Sequence, residues 1–478
     1  MNRTRLTAGA AAVALALAGC KAVGPNFEPP APPATSGYLM KGDAQTPTAQ
    51  LSPDARPAGA WWKSFGSADL DHVMDRALAG NQTVAQANAS LERLRQLAIA
   101  QHAQQKPSVD LSAQIAGERI NIQSLGFSGF PNPTIGLYSV GLNVNYDVDV
   151  FGGLRRRTEA AIAQAEQQQR QADAAYLTLT GQTATAALQI ATLRAQISTT
   201  EQAVADDQRL LELVHAAEKA GGAAPAGAVT VQVQLAQDEA LIPPLRAQLM
   251  QARHGLAQLV GEAPADWTAP DFDLASFSAP AQIPVTLPSQ LVRRRPDILA
   301  AESNLHVATA DIGVATAAMY PDIKISANIT QTAIPPGNLL TYGASGWTLA
   351  SGLTYPVFNA GRLKAEKAAA VAQMNAAYAQ YRGTVLGAFT QVADVMSAIA
   401  EDEAELTALQ TAEDAAAKSV KNDEVAFRLG GGSLRDILDD RRKLYLAQRA
   451  RVMAEGRRLA DIASLYVATA SDWREVKS

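Results

Sequence analysis

The chain has 478 residues, of which 47% are hydrophobic but only 5% are aromatic. Much of the hydrophobic fraction is alanine, a composition that favours long helices packed through small residues over a large globular core. The formal net charge of −5 gives no basic surface for phosphates, so the composition argues against a nucleic-acid-binding protein.

A lipoprotein signal peptide is predicted over residues 1–19. Two arginines precede a short apolar run, and Leu17-Ala18-Gly19-Cys20 has the pattern of a bacterial lipobox. Cys20 is the only cysteine, which excludes an intramolecular disulfide and favours lipidation over an incidental cysteine at a cleavage site. Lys21 follows where an aspartate would signal retention in the inner membrane, so the outer membrane is favoured. Residues 20–60, rich in Pro, Ala, Gly and Thr, predict a lipidated, extended segment.

A first structural repeat is predicted over residues 61–261, with folded structure starting at Trp61. Short helices are predicted over 70–79 and 83–105. Two strands follow, over 109–115 and, more clearly, over 140–150. In the clearer strand every second residue is apolar, which places one set of side chains on one face: Val140, Leu142, Val144, Tyr146, Val148 and Val150.

A run without proline predicts a helix over about 153–220, on the order of 100 Å long. Its apolar residues recur every seven positions, at Ile190, Ile197, Val204 and Leu211. The positions three residues later include Thr200 and Asp207, which predicts coiled-coil-like packing with some polar seam positions. Gly221, Gly222 and Gly227 are predicted to form the tip of a hairpin. A return helix is predicted over 229–260, kinked at Pro243-Pro244.

The same order of elements returns after a linker predicted over residues 262–288. The second repeat covers 289–470, and residues 471–478 form a tail. Its helices are predicted over 297–319, 361–430 and 434–470, and its strands over 323–330 and 347–357. The glycines Gly430, Gly431 and Gly432 are predicted to form the second hairpin tip. The duplication is visible in Tyr146-Asp147-Val148-Asp149-Val150-Phe151 and Tyr355-Pro356-Val357-Phe358, each between a strand and a long helix.

The predicted strands have the length that crosses a hydrocarbon layer when tilted. Four strands cannot close a barrel, and an open sheet edge in lipid leaves backbone groups unpaired at several kcal/mol each. Three chains of four strands would supply the twelve strands of a closed barrel with a lumen. The alternative is a soluble protein with two small sheets and two coiled-coil hairpins. The expected fold class is therefore an α+β membrane protein with an internal duplication.

The chain resembles the outer-membrane factor family of TolC-like efflux ducts, in the lipoprotein branch typified by OprM and the NodT group. The similarity covers essentially the whole mature chain. Short motifs carry it: Val23-Gly24-Pro25-Asn26-Phe27, Trp61-Trp62, Arg294-Arg295-Pro296-Asp297-Ile298, Ile312-Gly313 and Tyr320-Pro321. The resemblance implies a homotrimer with a twelve-stranded transmembrane β-barrel, continuous with a long periplasmic α-helical coiled-coil barrel. It also implies a periplasmic adaptor and an inner-membrane efflux pump, of the resistance-nodulation-division class, as partners.

The second hairpin tip carries the residues expected to matter most. Ser433 and Asp436 have the spacing of a capping box, and Asp436 and Asp439 share one helix face. In the family the matching positions carry two aspartates at the periplasmic entrance, so the resemblance implies carboxylate rings that bind cations. Some relatives tie neighbouring helices with a tyrosine and an arginine where this chain has Phe427 and Gly432. Either the lock is weaker, or Arg428 or Arg435 replaces it.

The sequence predicts neither a catalytic site nor a metal-binding site. The five histidines are scattered without metal-ligand spacing, and neither a phosphate loop nor a nucleophile elbow is present. We therefore expect no enzyme activity, no cofactor and no dedicated metal site.

The favoured function is the outer-membrane exit duct of a tripartite efflux pump, anchored by lipid and by its barrel and extending into the periplasm. Two alternatives stay open at this point: a duct for peptide or protein secretion, and a periplasmic coiled-coil adaptor or structural lipoprotein. The glycines of both hairpin tips are expected to form the turns and to contact the adaptor.

Overall fold

The computed structural model describes residues 22–35, 37–40, 51–52, 59–121, 126, 129, 131–220, 225–280, 282–285 and 287–470. Within them the helices are α1 (Ala68–Gly80), α2 (Gln82–Ala103), α3 (Gly153–Lys219), α4 (Pro225–Glu239), α5 (Ile242–Val260), α6 (Pro288–Leu291), α7 (Pro296–Ala317), α8 (Arg362–Arg428) and α9 (Leu434–Ala468). The strands are β1 (Leu51–Ser52), β2 (Ser108–Arg119), β3 (Thr134–Val148), β4 (Ile283–Pro284), β5 (Asp322–Ala333) and β6 (Ser345–Thr354).

The chain divides into two compact units, and each takes segments from both sequence repeats. Unit 1 comprises residues 1–30, 90–169 and 300–382, and unit 2 comprises 31–89, 170–299 and 383–478. The duplication therefore describes the order of elements along the chain. Each compact unit is formed by corresponding segments of the two repeats.

Unit 1 contains a four-stranded antiparallel sheet in the order β2-β3-β5-β6. One cross-strand row is apolar and consists of Leu111, Leu142, Ile329 and Trp347. The adjacent row is polar and consists of Asp110, Asn143, Asn328 and Thr348. Because adjacent residues of a strand point to opposite faces, one face of the sheet is apolar and the other polar, as the alternation predicts. Leu111 and Trp347 are 72% and 78% exposed, so the apolar face lies uncovered on the single chain.

Two strands end earlier than predicted, for the same physical reason. β3 ends at Val148, opposite Ile323, and β6 ends at Thr354, opposite Asp322. The residue before Asp322 is Pro321, which has no amide hydrogen to continue either ladder. The prediction that these strands reach Val150 and Val357 is therefore wrong by two or three residues.

Unit 2 is built on the predicted heptad seam of α3. Ile190, Leu193, Ile197, Thr200, Asp207 and Val214 are all buried. Leu193 and Ile197 pack against Leu245 of α5, and Val214 packs against Val231 of α4. Apolar burial of this kind contributes roughly 25 cal/mol per Å² of apolar surface removed from water. The first hairpin, formed by α3 with α4 and α5, is therefore held mainly by apolar contacts.

A tryptophan cluster closes another part of unit 2. A 3₁₀ helix over Trp61–Phe65 buries Trp61, Trp62 and Phe65. The Trp61 ring stacks on the Tyr466 ring of α9, with centroids 5.2 Å apart. The segment predicted as a linker also contributes side chains, since Phe272, Phe277 and Ile283 are buried. It additionally supplies β4, which pairs in parallel with β1.

The return helix differs from its prediction at both its start and its middle. It begins at Pro225 rather than at 229, because the fixed φ of proline suits the first turn of a helix. It is then broken rather than kinked, since α4 ends at Glu239 and α5 starts at Ile242. Pro243 and Pro244 lie in the first turn of α5, where the missing amide hydrogens leave no helical hydrogen bond unmade.

Candidate functional site

The second hairpin tip is a tight glycine turn between α8 and α9. Gly430 has a φ of 81°, a left-handed conformation that favours glycine. The amides of Gly431 and Gly432 both donate to the Ala426 carbonyl, at 2.9 and 3.2 Å. A Cβ on Gly432 would lie 2.9 Å from the Phe427 nitrogen, so this position also requires glycine. Two of the three predicted tip glycines are thus necessary to the turn itself.

The predicted capping box at the start of α9 is present. The Ser433 hydroxyl accepts from the Asp436 amide at 3.2 Å, and the Asp436 carboxylate accepts from the Ser433 amide at 3.3 Å. Asp439 lies on the same side of α9 and is exposed, and its ion-pair partner is the Arg435 side chain at 4.0 Å. Asp436 therefore has a structural role within the chain, whereas Asp439 has a weak, exposed ion pair.

Asp440 is held differently from the two tip aspartates. It is buried, accepts from the Lys443 ammonium at 2.7 Å, and accepts from the Ser419 hydroxyl of α8. These hydrogen bonds, that from Lys443 first, hold the pKa of the Asp440 carboxyl below its ordinary value. Asp440 therefore joins α9 to α8.

The two arginines considered as a replacement lock do not bridge helices. The Arg428 guanidinium donates to the Glu424 carbonyl of its own helix at 3.3 Å, and Arg435 reaches Asp439 of its own helix. Side chains do bridge helices further from the tip, at residues outside the predicted site. Tyr445 donates to Asp206 of α3 at 2.7 Å, and Arg441 donates to Glu424 of α8 at 2.7 Å. The sequence pattern could have indicated this contact through Asp207, a polar position of the heptad seam of α3 that is adjacent to Asp206.

The first hairpin tip is described only in part. Gly221 and Gly222 lie outside the described residues, as does Cys20. Gly227 lies within the first turn of α4 rather than in the turn between helices, which corrects its prediction as a tip residue. A Cβ there would lie 3.4 Å from the Leu434 side chain and 3.6 Å from the Val214 side chain. Both separations are ordinary van der Waals contacts, so the packing of α4 beside α3 and the start of α9 leaves room for a methyl group at this position.

The second hairpin, formed by α8 and α9, is linked by ion pairs. Arg451 contacts Glu413 at 2.5 Å, and Arg457 contacts Asp402 at 2.7 Å. Burial and the neighbouring Asp402 raise the pKa of Asp461 to about 6. Exposed ion pairs each contribute little to stability, about 0–1 kcal/mol. The ion pairs therefore add to the apolar burial of α9, which includes Val452, Leu459 and Ile462.

Unit 1 holds the N-terminal segment at a buried arginine. Arg156 is 4% exposed and donates to the Val23 carbonyl at 3.1 Å, the Gly24 carbonyl at 3.3 Å and the Asn26 side chain at 2.8 Å. A Cβ on Gly24 would lie 2.5 Å from the Gly313 Cα. Two of the motifs that carry the family resemblance are therefore in contact with each other.

Phe27 completes this attachment. Its ring stacks on the His306 ring with centroids 4.4 Å apart, and His306 contacts Glu159 at 3.0 Å. Arg156 also donates to Glu159, at 2.7 Å. Residues 22–27 form neither a helix nor a strand, bend at Val23 and Gly24, and are fixed to unit 1 by these contacts.

The described residues contain neither a clustered metal site nor an apolar helix whose length matches a single membrane span. No group of three or more His, Cys, Asp or Glu side chains has the arrangement of a metal site in that part of the chain. There, α8 is the one helix that is long and apolar enough to cross a membrane by length and composition. Its 67 residues span about 100 Å, however, against about 30 Å of hydrocarbon, so its length does not match a single span.

Known proteins similar to this chain are outer-membrane channels. Outer membrane protein OprJ of Pseudomonas aeruginosa is 28% identical over 492 aligned positions, covering 100% of this chain and 98% of the relative. The pyoverdine export outer membrane protein OpmQ of the same species is 28% identical, with 88% and 89% covered. The solved structure of the outer-membrane channel OprN is 26% identical with a TM-score of 0.85, covering 94% of this chain and 99% of that one.

The family model described as outer membrane efflux protein matches residues 73–262 and 287–471. These segments include both long helices, the sheet strands β2, β3, β5 and β6, and the second hairpin tip. The chain belongs to the outer membrane efflux protein family.

Proposed function

We propose that this outer-membrane efflux protein is the passive exit duct of a tripartite pump, in which three copies close one barrel. The observation that carries the proposal is the pair of cross-strand rows, one led by Leu111 and Leu142 and the other by Asp110 and Asn143. An apolar face suits lipid and a polar face suits an aqueous lumen. In the single chain β2 and β6 are the edges of the sheet. Pairing between copies would satisfy their free backbone groups.

The partners follow from this role. A duct without its own energy source needs an inner-membrane pump, and we assign it one of the resistance-nodulation-division class, joined through a periplasmic adaptor. The expected adaptor contacts are the two hairpin tips, at Gly221 and Gly222 and at 430–432, together with Gly227 in the first turn of α4. Cys20 is the expected lipid attachment site, and lipid and barrel together would give the two anchors that stable membrane attachment requires. No catalytic step is assigned to the chain.

The entrance is assigned to Asp436 and Asp439. In a trimer they would bring two carboxylates per chain to one axis, where like charges attract cations. Because Asp439 is exposed and weakly paired, its carboxylate is available for this role. The capping role of Asp436 is compatible with it, since a carboxylate can accept several hydrogen bonds and still carry its charge.

The test combines assembly with transport. Protein extracted in detergent should run as a heat-sensitive trimer, and reconstituted protein should release a small dye from liposomes. In the native host, deletion of the gene should raise the accumulation of a fluorescent efflux substrate, and the wild-type gene should restore efflux. A monomer that leaves liposomes intact would refute the duct and favour a structural lipoprotein. Loss of an exported peptide with normal dye efflux would favour the secretion alternative.

A further inference from the structure

The N-terminal segment marks one side of the helices in unit 1. Arg156 of α3 donates to the Val23 carbonyl at 3.1 Å, and the Val23 amide donates to the Phe151 carbonyl at 3.1 Å. Cys20, the proposed lipid attachment site, precedes Val23 by three residues, which span at most about 10 Å. A lipid-bearing residue must reach the membrane. In a duct, the side of the helices that holds residues 22–27 therefore faces outwards.

Three sides of α3 contact other parts of unit 1. Glu159 faces the N-terminal segment, because it contacts His306, whose ring stacks on the Phe27 ring. Ala160 packs against α7. Thr158 accepts a hydrogen bond at 2.6 Å from the side chain that lies two residues after the end of α2. The remaining side of α3 is the one opposite Glu159.

This opposite side of α3 carries an arginine and two glutamines. Adjacent residues of a helix are about 100° apart, so Arg157, two residues before Glu159, and Gln168, nine residues after it, lie about 160–180° around the helix from Glu159. Gln164 lies within about 40° of both. Arg157 and Gln164 are exposed, and Gln168 is half-buried. α3 therefore directs these polar side chains away from the N-terminal segment.

The neighbouring helix α7 has the same arrangement. His306 carries the Phe27 ring on one side. Asn304, two residues earlier, and Asp311, five residues later, lie about 140–160° around the helix from His306. The Asn304 amide donates to the Gln380 side chain of α8 at 3.4 Å, so α8 contributes to the same side. Because α3 and α7 pack against each other, their polar sides form one surface.

We call this surface the amide face, and its members are Arg157, Gln164, Gln168, Asn304, Asp311 and Gln380. Amide side chains donate and accept hydrogen bonds without carrying charge. The charged members are one arginine and one aspartate, so their formal charges cancel. The amide face therefore differs from the proposed entrance, where Asp436 and Asp439 carry charge of one sign.

We propose that Arg157 and Asp311 are specificity-determining residues of the duct, set as opposite charges on an amide face that lines the lumen. The proposal rests on the proposed function, because only a duct has a lumen. Three copies would bring three guanidinium groups and three carboxylates to the passage. Charges of one sign attract ions of the other, and these two sets offset each other. The passage therefore admits polar molecules of either charge, and selection by charge is left to Asp436 and Asp439.

Thiol modification tests which side of the helices faces the lumen. Cys20 is the only cysteine and would be blocked by lipid, so an introduced cysteine is the one free thiol. Trimer in planar bilayers is treated with a charged methanethiosulfonate reagent. Gln168→Cys and Asn304→Cys should lose conductance in up to three steps, one for each copy. Glu166→Cys is the matched control and should keep its conductance, because Glu166 is exposed and lies two turns after Glu159 on the outward side.

Selectivity measurements test the two charges. Reversal potentials are recorded in a salt gradient, with Asp436→Ala and Asp439→Ala present to remove the entrance charges. Mildly alkaline buffer keeps Asp311 ionised, since partial burial raises the pKa of its carboxyl. Arg157→Gln should shift the reversal potential towards cation selectivity, and Asp311→Asn should shift it towards anion selectivity. Combining the two should restore the parent value, and Glu166→Gln should leave it unchanged.

The results separate this inference from the proposed function. Loss of conductance in Glu166→Cys, with none in Gln168→Cys and Asn304→Cys, would overturn the amide face as the lumen lining. Reversal potentials that stay unchanged in both Arg157→Gln and Asp311→Asn would overturn the role of the two charges. In both cases the channel itself remains. A trimer that forms no channel in wild type or in any variant would instead refute the duct.

Discussion

The close approach of α3 and α9 at Gly456 gives a sharp test of the helix packing in unit 2. Gly456 is buried, and a Cβ placed there would lie 2.7 Å from the Thr192 Cγ2 atom and 2.9 Å from its Cβ, with the Thr192 Oγ1 closer still. Carbon atoms prefer separations of about 3.5–4.0 Å. The Thr192 hydroxyl donates to the Leu188 carbonyl at 2.8 Å, which holds the side chain in place. Gly456→Ala should therefore force the two helices apart.

The expected size of the effect combines two opposing contributions. Alanine gains about 1 kcal/mol over glycine in a helix interior. Overpacking of a well-packed site costs about 1–3 kcal/mol. A Cβ added at Gly255 in α5 would meet nothing within 4 Å among the described residues, so Gly255→Ala should show the gain alone. Gly456→Ala should consequently be less stable than Gly255→Ala by about 1–3 kcal/mol.

The assay is thermal unfolding of the detergent-extracted trimer, compared as apparent midpoints at one scan rate because such unfolding is often irreversible. Thr192→Ala removes the clashing hydroxyl and methyl groups. Combined with Gly456→Ala it should recover much of the loss, with a coupling of about 0.5–3 kcal/mol. Gly456→Ala as stable as Gly255→Ala, with no relief from Thr192→Ala, would show that α3 and α9 do not approach this closely.

Three further changes test the sheet, the entrance and the tryptophan cluster. Leu142→Arg should cost about 2–4 kcal/mol near the membrane midplane and reduce the amount of trimer, whereas Asn143→Arg on the other face should cost far less; equal losses would contradict the assigned faces. Asp436→Ala combined with Asp439→Ala should raise single-channel conductance and relieve block by multivalent cations. Unaltered conductance and block would leave these aspartates with helix-start roles only, worth about 0.3–1 kcal/mol each. Trp61→Ala should destabilise the protein by about 3–5 kcal/mol, measured as a lower unfolding midpoint, and a change below about 1 kcal/mol would argue against the stack on Tyr466.

Much of the secondary structure could be predicted from the sequence because its causes are local. The proline-free runs predicted α3 and α8 to within a few residues at each end. The capping box at Ser433 needs only residues within one turn, and it is present. Alternation along β3 predicted which side chains share a face, since the pleat fixes that relation. Where a neighbouring proline removed a ladder partner, as at Pro321, the strands ended before the pattern did.

The candidate site was predictable only where it lies within one element. Asp436 and Asp439 share a face of α9 by spacing alone. The bridge from Tyr445 to Asp206 joins residues 239 positions apart, and their meeting depends on how α9 packs against α3. Arg156 is similar, because its partners in the segment 22–27 lie 130 to 133 positions away along the chain.

The sequence by itself determined the periodicities, the ends of the two long helices and the duplication, because each depends on steric and hydrogen-bonding preferences within a few residues. The motifs also determined the family. Only the tertiary structure decided which polar groups are buried together. Asp207 occupies an ordinary seam position in the sequence, and its raised pKa arises because packing removes it from water and brings Asp238 of another helix beside it. Desolvation and charge proximity are properties of the folded chain, and no local pattern specifies them.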